Sequence, residues 1–214
     1  MTDDKGIKVI LIGETGVGKT NLIRAVLGKE FDASSESSLT SSFYEEFVLV
    51  NGKKYSYNLW DTAGQEVYRS MNKIFIKGAK IVLVVFAIDS KNTFEQVDFW
   101  YNYAKEILGE DGYTIALVGN KNDLYEKQEI PDEEINKKAE ELKVKLKITS
   151  SKEDRVGFKE FLEELLTEYI KQNFKEDAKN ENNNKTNDNQ QETFKIDNEK
   201  GKNNGKNKQK KNCC

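Results

Sequence analysis

A glycine-rich octapeptide near the N-terminus constrains the fold of this chain more than any other feature. Residues 7–13 form a short segment rich in β-branched side chains, which predicts a buried strand. Residues 19–27 have the apolar spacing of a helix. Between them, residues 13–20 match the pattern G-x-x-x-x-G-K-[ST]. Such a loop directs backbone N–H groups toward one point at a helix N-terminus, which suits phosphate oxygens. The alternative is an ordinary glycine-rich turn.

The residue types of that loop fit a nucleotide phosphate group and its magnesium ion. The Lys19 ammonium would supply positive charge to the β- and γ-phosphates, and the Thr20 hydroxyl would reach Mg²⁺. Contacts to the phosphates are therefore expected from Glu14, Thr15, Gly16, Val17, Gly18, Lys19 and Thr20.

The rest of the chain alternates between strand and helix patterns. Further strands are predicted over residues 43–50, 54–59, 81–88, 115–118 and 144–148, the first two joined by the hairpin signal Asn51-Gly52. Helices are predicted over residues 93–108, from near Pro131, and over residues 157–170. The fold class is therefore α/β, with a doubly wound, six-stranded, mostly parallel sheet, one antiparallel hairpin strand and about five helices on both faces. Ligands of such sheets bind at the carboxyl ends of the strands.

The composition changes near Phe174 and divides the chain into two parts. Residues 175–214 contain eleven asparagines, ten lysines and seven acids, with Phe194 and Ile196 as the large hydrophobes. Such a segment buries too little apolar area to offset chain entropy, so we expect it to be disordered. Residues 1–174 are expected to form one folded domain.

Charge and composition exclude several classes of function. The 34 basic and 37 acidic residues give a net charge of −3, which does not favour nucleic-acid binding. The absence of histidine excludes a Ser-His-Asp triad and most zinc sites. The polar start and the lack of a long apolar run argue against a secretory signal and a membrane-spanning helix. The two cysteines are the last two residues, so no disulfide is expected within the fold, which fits a reducing cytosol.

Three polar segments follow predicted strands near the expected ligand edge. After residues 115–119, the Asp123 carboxylate can accept two N–H bonds from a guanine edge, a pair that adenine lacks; the alternative is a polar exit loop. After the next strand, a backbone N–H of residues 149–152 can meet the guanine carbonyl, although a serine-rich turn is the simpler interpretation. At the end of the second hairpin strand, Asp61 can hold Mg²⁺ through water, Gly64 can approach a γ-phosphate, and Gln65 can orient an attacking water. The alternative for residues 61–66 is a common turn.

These motifs together resemble the Ras-superfamily small GTPases. The resemblance covers residues 7–172 and is carried, in order, by residues 13–20, 60–66, 120–123 and 149–152. Features similar to the Rab family in particular are Trp60 to Glu66 followed by Tyr68-Arg69-Ser70, Lys77-Gly78-Ala79, and the terminal Cys213-Cys214. Residues 119–124 and the spacing from Phe31 to Phe43 resemble the endosomal branch of that family.

The resemblance implies a P-loop NTPase small G domain that binds GDP or GTP with Mg²⁺ and hydrolyses GTP, with Gln65 and Lys19 as the catalytic residues. It implies that Phe31 flanks the guanine and that the backbone of Asn21 contacts the α-phosphate. The further nucleotide-binding residues that it implies are Gly64, Asn120, Lys121, Asp123, Leu124, Ser150, Ser151 and Lys152. Thr15, where many relatives have glycine, either crowds the attacking water or is a harmless loop residue.

One segment departs from the family pattern. Ser38 lies where relatives have the threonine that binds Mg²⁺ and senses the γ-phosphate, and Thr40 replaces a glycine. The implied metal ligands are Thr20 and Ser38, with Asp61 acting via water; the alternative is that Thr40 replaces Ser38 as the ligand. Either a looser switch I, the segment of residues 34–43 that would respond to the γ-phosphate, or an altered choice of effector would follow.

The resemblance also implies partners and a location. Cys213 and Cys214 would each carry a geranylgeranyl group and anchor the chain to the cytoplasmic face of an endosome or vesicle, from which it cycles with the cytosol. The implied partners are effectors, an exchange factor, a GTPase-activating protein, a prenylation escort and a GDP-dissociation inhibitor, and the protein is expected to be a monomer. Effectors would contact the apolar residues Leu39, Phe43, Trp60, Tyr68 and Met71. The alternatives are a GTP-binding, membrane-anchored scaffold with little hydrolysis and, in another enzyme class, a P-loop nucleotide kinase.

Overall fold

The computed structural model of the chain describes residues 6–33, 42–61 and 69–174. Several predicted site residues lie outside these ranges: Ser38, Thr40, Gly64, Gln65, Cys213 and Cys214. The same is true of Leu39, Tyr68 and the whole predicted tail.

The described residues form the predicted six-stranded sheet. Its strands are β1 (Ile7–Ile12), β2 (Ser42–Val50), β3 (Lys53–Asp61), β4 (Ile81–Ala87), β5 (Thr114–Asn120) and β6 (Lys145–Ile148). The strand order is β2-β3-β1-β4-β5-β6, with β2 and β3 antiparallel and the other neighbours parallel. This confirms the predicted fold class.

Six α-helices accompany the sheet in the described part of the chain. They are α1 (Lys19–Val26), α2 (Arg69–Ile76), α3 (Lys91–Glu95), α4 (Val97–Leu108), α5 (Asp132–Leu142) and α6 (Arg155–Asn173), and a 3₁₀ helix spans Asn122–Lys127. The single helix predicted over residues 93–108 is instead two, because the chain turns at Gln96, which ends α3 and precedes α4. None of the described helices has both the length and the apolar content needed to cross a membrane.

Two turn predictions can be compared with the observed backbone. Asn51 and Gly52 both have positive φ, 53° and 78°, and the register pairs Val50 with Lys53, so they form the predicted two-residue hairpin loop. Pro131 precedes α5 as its N-cap, with an extended ψ of 141°, rather than lying in the first turn as expected. The first turn of α5 is acidic instead, which favours a helix N-terminus through the helix dipole.

Helices cover both faces of the sheet and produce two apolar clusters. Alternate residues of β1 separate between them: Val9 and Leu11 pack toward α1 and α6, and Ile10 and Ile12 pack toward α4 and α5. Every residue of β4 is buried, which is why its sequence is continuously apolar.

The predicted inward faces of the helices are largely confirmed. In α6 the predicted core residues are all buried: Phe158, Phe161, Leu162 and Leu165. On the predicted stripe of residues 93–108, Phe94, Val97 and Ala104 are buried, whereas Tyr101 and Leu108 are half-buried. The large buried side chain of that face is Trp100, which the stripe did not include.

Candidate functional site

The loops that follow five neighbouring strands carry the polar side chains of the candidate site. Because these five strands, β1 and the four parallel to it, run in the same direction, their carboxyl ends lie at one edge of the sheet. The residues concerned are Gly13 to Gly18 after β1, Asp61 at the end of β3, Asp89 after β4, Asn120 to Asp123 at the end of β5, and Thr149 to Ser151 after β6. The sheet therefore brings together the described parts of all four predicted motifs.

Two glycines of the loop after β1 have no room for a side chain. Gly13 has φ of 143°, and a Cβ there would overlap the backbone carbonyl oxygen of Val85. Gly18 has φ of 93°, and a Cβ there would overlap the side-chain nitrogen of Asn120. These two positions hold the loop tightly against β4 and against the loop after β5, so both the left-handed backbone and the close approach require glycine.

Lys19 places a buried positive charge inside the loop. Its side chain is almost fully covered, with the residue 5% exposed, and its Nζ donates to the carbonyl oxygens of Gly13 and Glu14 at 2.8 Å each. A buried ammonium beside a turn of backbone N–H groups suits a multiply charged anion.

Thr20 and Asp61 form an oxygen-rich pair beside Lys19. The Thr20 hydroxyl donates to Asp61 Oδ1 at 3.2 Å, and Asp61 is only 2% exposed. A hydroxyl that donates a hydrogen bond to a carboxylate can direct its oxygen lone pairs toward a further ligand, which suits a hard cation. In the part of the chain that the structure describes, no cluster of three or more Asp, Glu, Cys or His side chains can hold a metal. A Mg²⁺ ion here would depend on Thr20, on water and on phosphate oxygens, which is the ligand set that it prefers.

Asn120 joins the phosphate-loop side of the site to the loop after β6. Its Nδ2 donates to the Val17 carbonyl at 2.8 Å, and its Oδ1 accepts from the Ser151 backbone N–H at 3.0 Å. The residue is completely buried. Ser151 also contributes its hydroxyl, which accepts from Asn120 Nδ2 at 3.4 Å. Asn120 therefore fixes the distance between two loops.

Ser150 holds the carboxylate of Asp123. The Ser150 hydroxyl donates to Asp123 Oδ1 at 2.6 Å and itself accepts the backbone N–H groups of Lys152 and Glu153 at 3.1 and 3.0 Å. The second oxygen of Asp123 lies 4.0 Å from Lys152 Nζ. We expected only a backbone role for residues 149–152, and the serine side chain proves to be the group that orients Asp123.

Lys121 has a partner that sequence reasoning missed. It adopts the left-handed conformation, with φ of 69°, which is uncommon for a lysine and concentrates at functional sites. Its Nζ lies 3.3 Å from Asp89 Oδ1. The backbone around it is held by the Asn122 N–H, which donates to Thr149 O at 3.0 Å, and by the Leu124 N–H, which donates to Lys121 O at 2.8 Å. The position of Asp89 just after β4 was the available signal, because β4 and β5 are parallel neighbours.

Comparison with known proteins assigns the family. The model of the family described as "Ras family" matches residues 8–171. The chain belongs to the Ras family. Two relatives of this Ras-family protein are the Ras-related protein RABA1b of Arabidopsis thaliana, 37% identical over 134 residues, and the Ras-related protein Rab-21 of Geodia cydonium, 32% identical over 148 residues. The first alignment covers 63% of this chain and 62% of the relative, and the second covers 69% and 64%, so the chain spans less than two thirds of either relative. Their names confirm that this chain resembles the Rab family, as the sequence motifs indicate.

A second missed contact of this Ras-family protein links α4 to the phosphate loop. The indole N–H of Trp100 donates to Glu14 Oε1 at 3.0 Å. Because a buried indole N–H generally needs an acceptor, the buried Trp100 was itself a signal that α4 reaches a polar group. The sequence pattern treated α4 as a core helix only.

The predicted partner surface of the Ras-family protein is described in part. Phe43 is 58% exposed and stacks on Trp60, with ring centroids 5.3 Å apart, and Trp60 in turn lies 6.1 Å from Phe75. Lys8 Nζ lies 4.4 Å from the centre of the Trp60 ring. The predicted residues Phe43 and Trp60 are therefore adjacent on one face of the sheet, as a contact surface requires.

Proposed function

We propose that this chain is a Rab-type small GTPase, a GDP/GTP-regulated molecular switch in vesicular membrane trafficking. In this proposal it hydrolyses GTP to GDP and phosphate, slowly unless an activating protein assists. The observation that carries the proposal is the position of Asn120, which ties the loop around the buried Lys19 ammonium to the loop after β6, beside the Asp123 carboxylate. Asn120 thereby holds the groups that would bind the phosphates and the groups that would bind the base at a constant separation.

Asp123 is proposed to select guanine. Its carboxylate would accept the N1–H and the exocyclic amine of guanine, whereas adenine presents an acceptor at the first of these positions. Support comes from the Ser150 hydroxyl, which holds one carboxylate oxygen at 2.6 Å and so fixes the plane of the group. Leu124, Lys121 and the backbone N–H groups of residues 150–152 would complete the base pocket.

The phosphates would be bound by the N–H groups of residues 14–18, by Lys19 and by the backbone of Asn21. Thr20 and Ser38 would hold Mg²⁺ directly and Asp61 through water, and the bound ion would neutralise charge on the phosphate oxygens. The Thr20–Asp61 hydrogen bond supports this arrangement because it orients the lone pairs of the hydroxyl.

Hydrolysis would require a positioned water and stabilisation of developing charge. Gln65 would orient the water, and the Gly64 N–H would approach the γ-phosphate. Arg24 is the arginine nearest the loop in sequence, but its Nε donates to the Glu30 carbonyl at 3.0 Å and is engaged there. We therefore propose that a GTPase-activating protein supplies an arginine, whose effect in Ras is about 10⁵-fold.

Membrane attachment and switching complete the proposal. Geranylgeranyl groups on Cys213 and Cys214 would place the protein on the cytoplasmic face of an endosome or vesicle. The γ-phosphate would order two segments, residues 34–43 and 64–75, that effectors then recognise through Phe43, Trp60 and their neighbours. An exchange factor, a prenylation escort and a GDP-dissociation inhibitor would drive the cycle.

Competition binding tests the base preference. Purified protein loaded with fluorescent GDP is titrated with unlabelled GDP and, in a parallel series, with ADP. We expect GDP to displace the probe at far lower concentration than ADP. A preference for ADP, or no retention of guanine nucleotide in the presence of Mg²⁺, would remove the switch function and favour a nucleotide kinase.

Single-turnover hydrolysis tests the catalytic part. Wild type and Gln65→Leu are loaded with GTP, and phosphate release is followed. We expect the wild type to turn over on the order of 10⁻⁴ per second and the variant more slowly. Equal rates in both proteins would support instead a GTP-binding scaffold that barely cycles.

A further inference from the structure

A side chain of α1 pairs with the backbone of the segment that precedes β2. Asn21 is 8% exposed, and its Nδ2 donates to the Asp32 carbonyl at 3.0 Å. The Asp32 backbone N–H donates back to Asn21 Oδ1 at 3.1 Å. One carboxamide thus makes both hydrogen bonds of a backbone residue, as a neighbouring strand would in a sheet.

The residues just before Asp32 are held in the same way, by side chains. Arg24 Nε donates to the Glu30 carbonyl at 3.0 Å, and Arg155 Nη1, from the start of α6, donates to the Lys29 carbonyl at 3.2 Å. Residues 29–32 lie in neither helix nor strand. The Lys29 N–H also donates to the Arg24 carbonyl at 2.8 Å, so one backbone hydrogen bond and side chains of α1 and α6 together position this segment.

This segment carries Phe31, which the family resemblance implies would flank the guanine base. Phe31 is 40% exposed, so packing against the domain covers only part of its ring. Asn21 immediately follows Thr20 in α1, so the same helical turn that would bind the phosphates also fixes the backbone next to Phe31. If Phe31 covers one face of the base, release of the nucleotide would require this segment to move.

We infer that Asn21 is a positioning residue for nucleotide retention, whose side chain holds the backbone of Asp32 and thereby keeps Phe31 over the bound nucleotide. The inference rests on the proposed function. It adds a role for the side chain of Asn21 to the backbone contact that the family resemblance implies. Loss of two ordinary hydrogen bonds is expected to raise the rate of GDP release by about tenfold to about a hundredfold.

The test measures release of a fluorescent GDP from the purified chain after addition of excess unlabelled GDP. Asn21→Ala should release the probe faster, with an unchanged association rate. Asn21→Asp keeps the acceptor for the Asp32 N–H but sets a carboxylate oxygen against the Asp32 carbonyl, so it should also release the probe faster than wild type. The control is Asn173→Ala, which removes a side-chain hydrogen bond of 2.8 Å to the Tyr169 carbonyl in the last turn of α6 and should release at the wild-type rate.

A second series in EDTA separates this role from a disturbance of the neighbouring Thr20. Because the side chain acts on the segment around Phe31, the same acceleration should persist without Mg²⁺. An acceleration that disappears in EDTA, or release from Asn21→Ala and Asn21→Asp at the wild-type rate, would overturn the inference while leaving the proposed function intact. Should the alanine variant not fold, the aspartate variant carries the test. A wild-type protein that retains no guanine nucleotide would contradict the proposed function itself.

Discussion

Several residues of the site act between loops, and their side chains determine how the remaining groups are presented. Asn120 spans from the Val17 carbonyl to the Ser151 N–H, Ser150 holds Asp123, and Trp100 holds Glu14. Each bond joins residues that are far apart in sequence. Substitution of such a residue is expected to displace a whole loop rather than to remove a single ligand contact.

The base preference can be tested at Asp123. Asp123→Asn replaces one acceptor oxygen with an NH₂ group, which faces a guanine donor and leaves one hydrogen bond unmade. We expect the affinity for GDP to fall by about tenfold to a hundredfold. The affinity for xanthosine diphosphate, which carries a carbonyl where guanine has its exocyclic amine, should rise. Equilibrium titration with both nucleotides measures the change.

The matched control for this substitution is Asp111→Asn, which lies in the exposed loop after α4. It should bind both nucleotides as wild type does. Equal losses of GDP affinity in the two variants would show that the carboxylate of Asp123 does not read the base.

Tyr57 offers a test of stability at a single buried atom. The side chain is fully buried, and its hydroxyl has no hydrogen-bond partner among the described residues. Burial, reinforced by the charges of Glu46 and Glu163, raises the pKa of Tyr57. Because the unmade bond costs free energy, Tyr57→Phe should leave the free energy of unfolding at about pH 7 unchanged or raise it by up to about 1 kcal/mol.

The same substitution has a predictable pH dependence. Above about pH 10 the unfolded chain ionises this tyrosine while the folded protein keeps it neutral, so wild type loses stability as the pH rises and Tyr57→Phe does not share that loss. Urea unfolding of wild type and Tyr57→Phe, at about pH 7 and again above about pH 10, measures the difference in their free energies of unfolding. The control Tyr113→Phe removes a satisfied bond of 2.7 Å to the Gly109 carbonyl and should cost about 0.5–1.5 kcal/mol. A larger loss in Tyr57→Phe than in the control would contradict the prediction.

At the scale of elements, one lysine connects the edge strand β6 to α6. Lys145 Nζ donates to Glu164 Oε1 and to Glu168 Oε1 at 2.5 Å each. These hydrogen bonds, first to Glu164 and then to Glu168, raise the pKa of Lys145. All three side chains are more than a third exposed, so screening by solvent reduces what the pair of contacts contributes.

Lys145→Gln should lower the free energy of unfolding by about 0.5–1 kcal/mol at about pH 7. Because the folded-state pKa is raised, the contribution is complete below the unfolded pKa of about 10.4 and is lost as the pH rises through the folded value. The difference between variant and wild type should therefore shrink at strongly alkaline pH, as measured by urea unfolding. Lys91→Gln, at the exposed start of α3, is the control, and an equal effect in both variants would contradict a specific role for the β6–α6 contacts.

The helices also show how far a sequence pattern predicts elements. Long periodic or continuously apolar segments, such as α6 and β4, were predicted because burial on one face or on both determines their composition. The helix α2 was missed, since eight residues give too short a pattern to establish a period. The break at Gln96 was also missed, because the apolar residues on either side still face the same core.

At the scale of the whole molecule, the site exists only as the meeting point of loops from five strands, so a bound ligand should stabilise the entire domain. With free GDP and Mg²⁺ at about 1,000 times Kd, binding contributes about 4 kcal/mol. For a domain of this size that corresponds to a rise in Tm of about 8–16 °C. Thermal unfolding with GDP and Mg²⁺, and again after removal of both with EDTA and phosphatase, measures the shift.

ADP at the same concentration is the control for that measurement and should leave Tm near the value of the ligand-free protein. A shift with ADP equal to that with GDP would contradict the proposed base preference. The absence of a shift with either nucleotide would contradict binding at this edge of the sheet.

Local patterns in the sequence were enough to predict the six strands, the helices α1, α5 and α6, the glycine positions of the loop after β1 and the four motifs, because periodicity and turn chemistry are properties of neighbouring residues. The side chains that connect those motifs are brought together by the packing of the folded domain. The pairs Trp100–Glu14, Asp89–Lys121, Ser150–Asp123 and Asn21–Asp32 were not predicted, since the signals that Trp100 and Asp89 offered did not identify their partners. The two members of each pair come together through parallel strand pairing and helix packing, which bring residues that are distant in sequence to one edge of the sheet. Local sequence patterns contain no information on the distance in space between such residues.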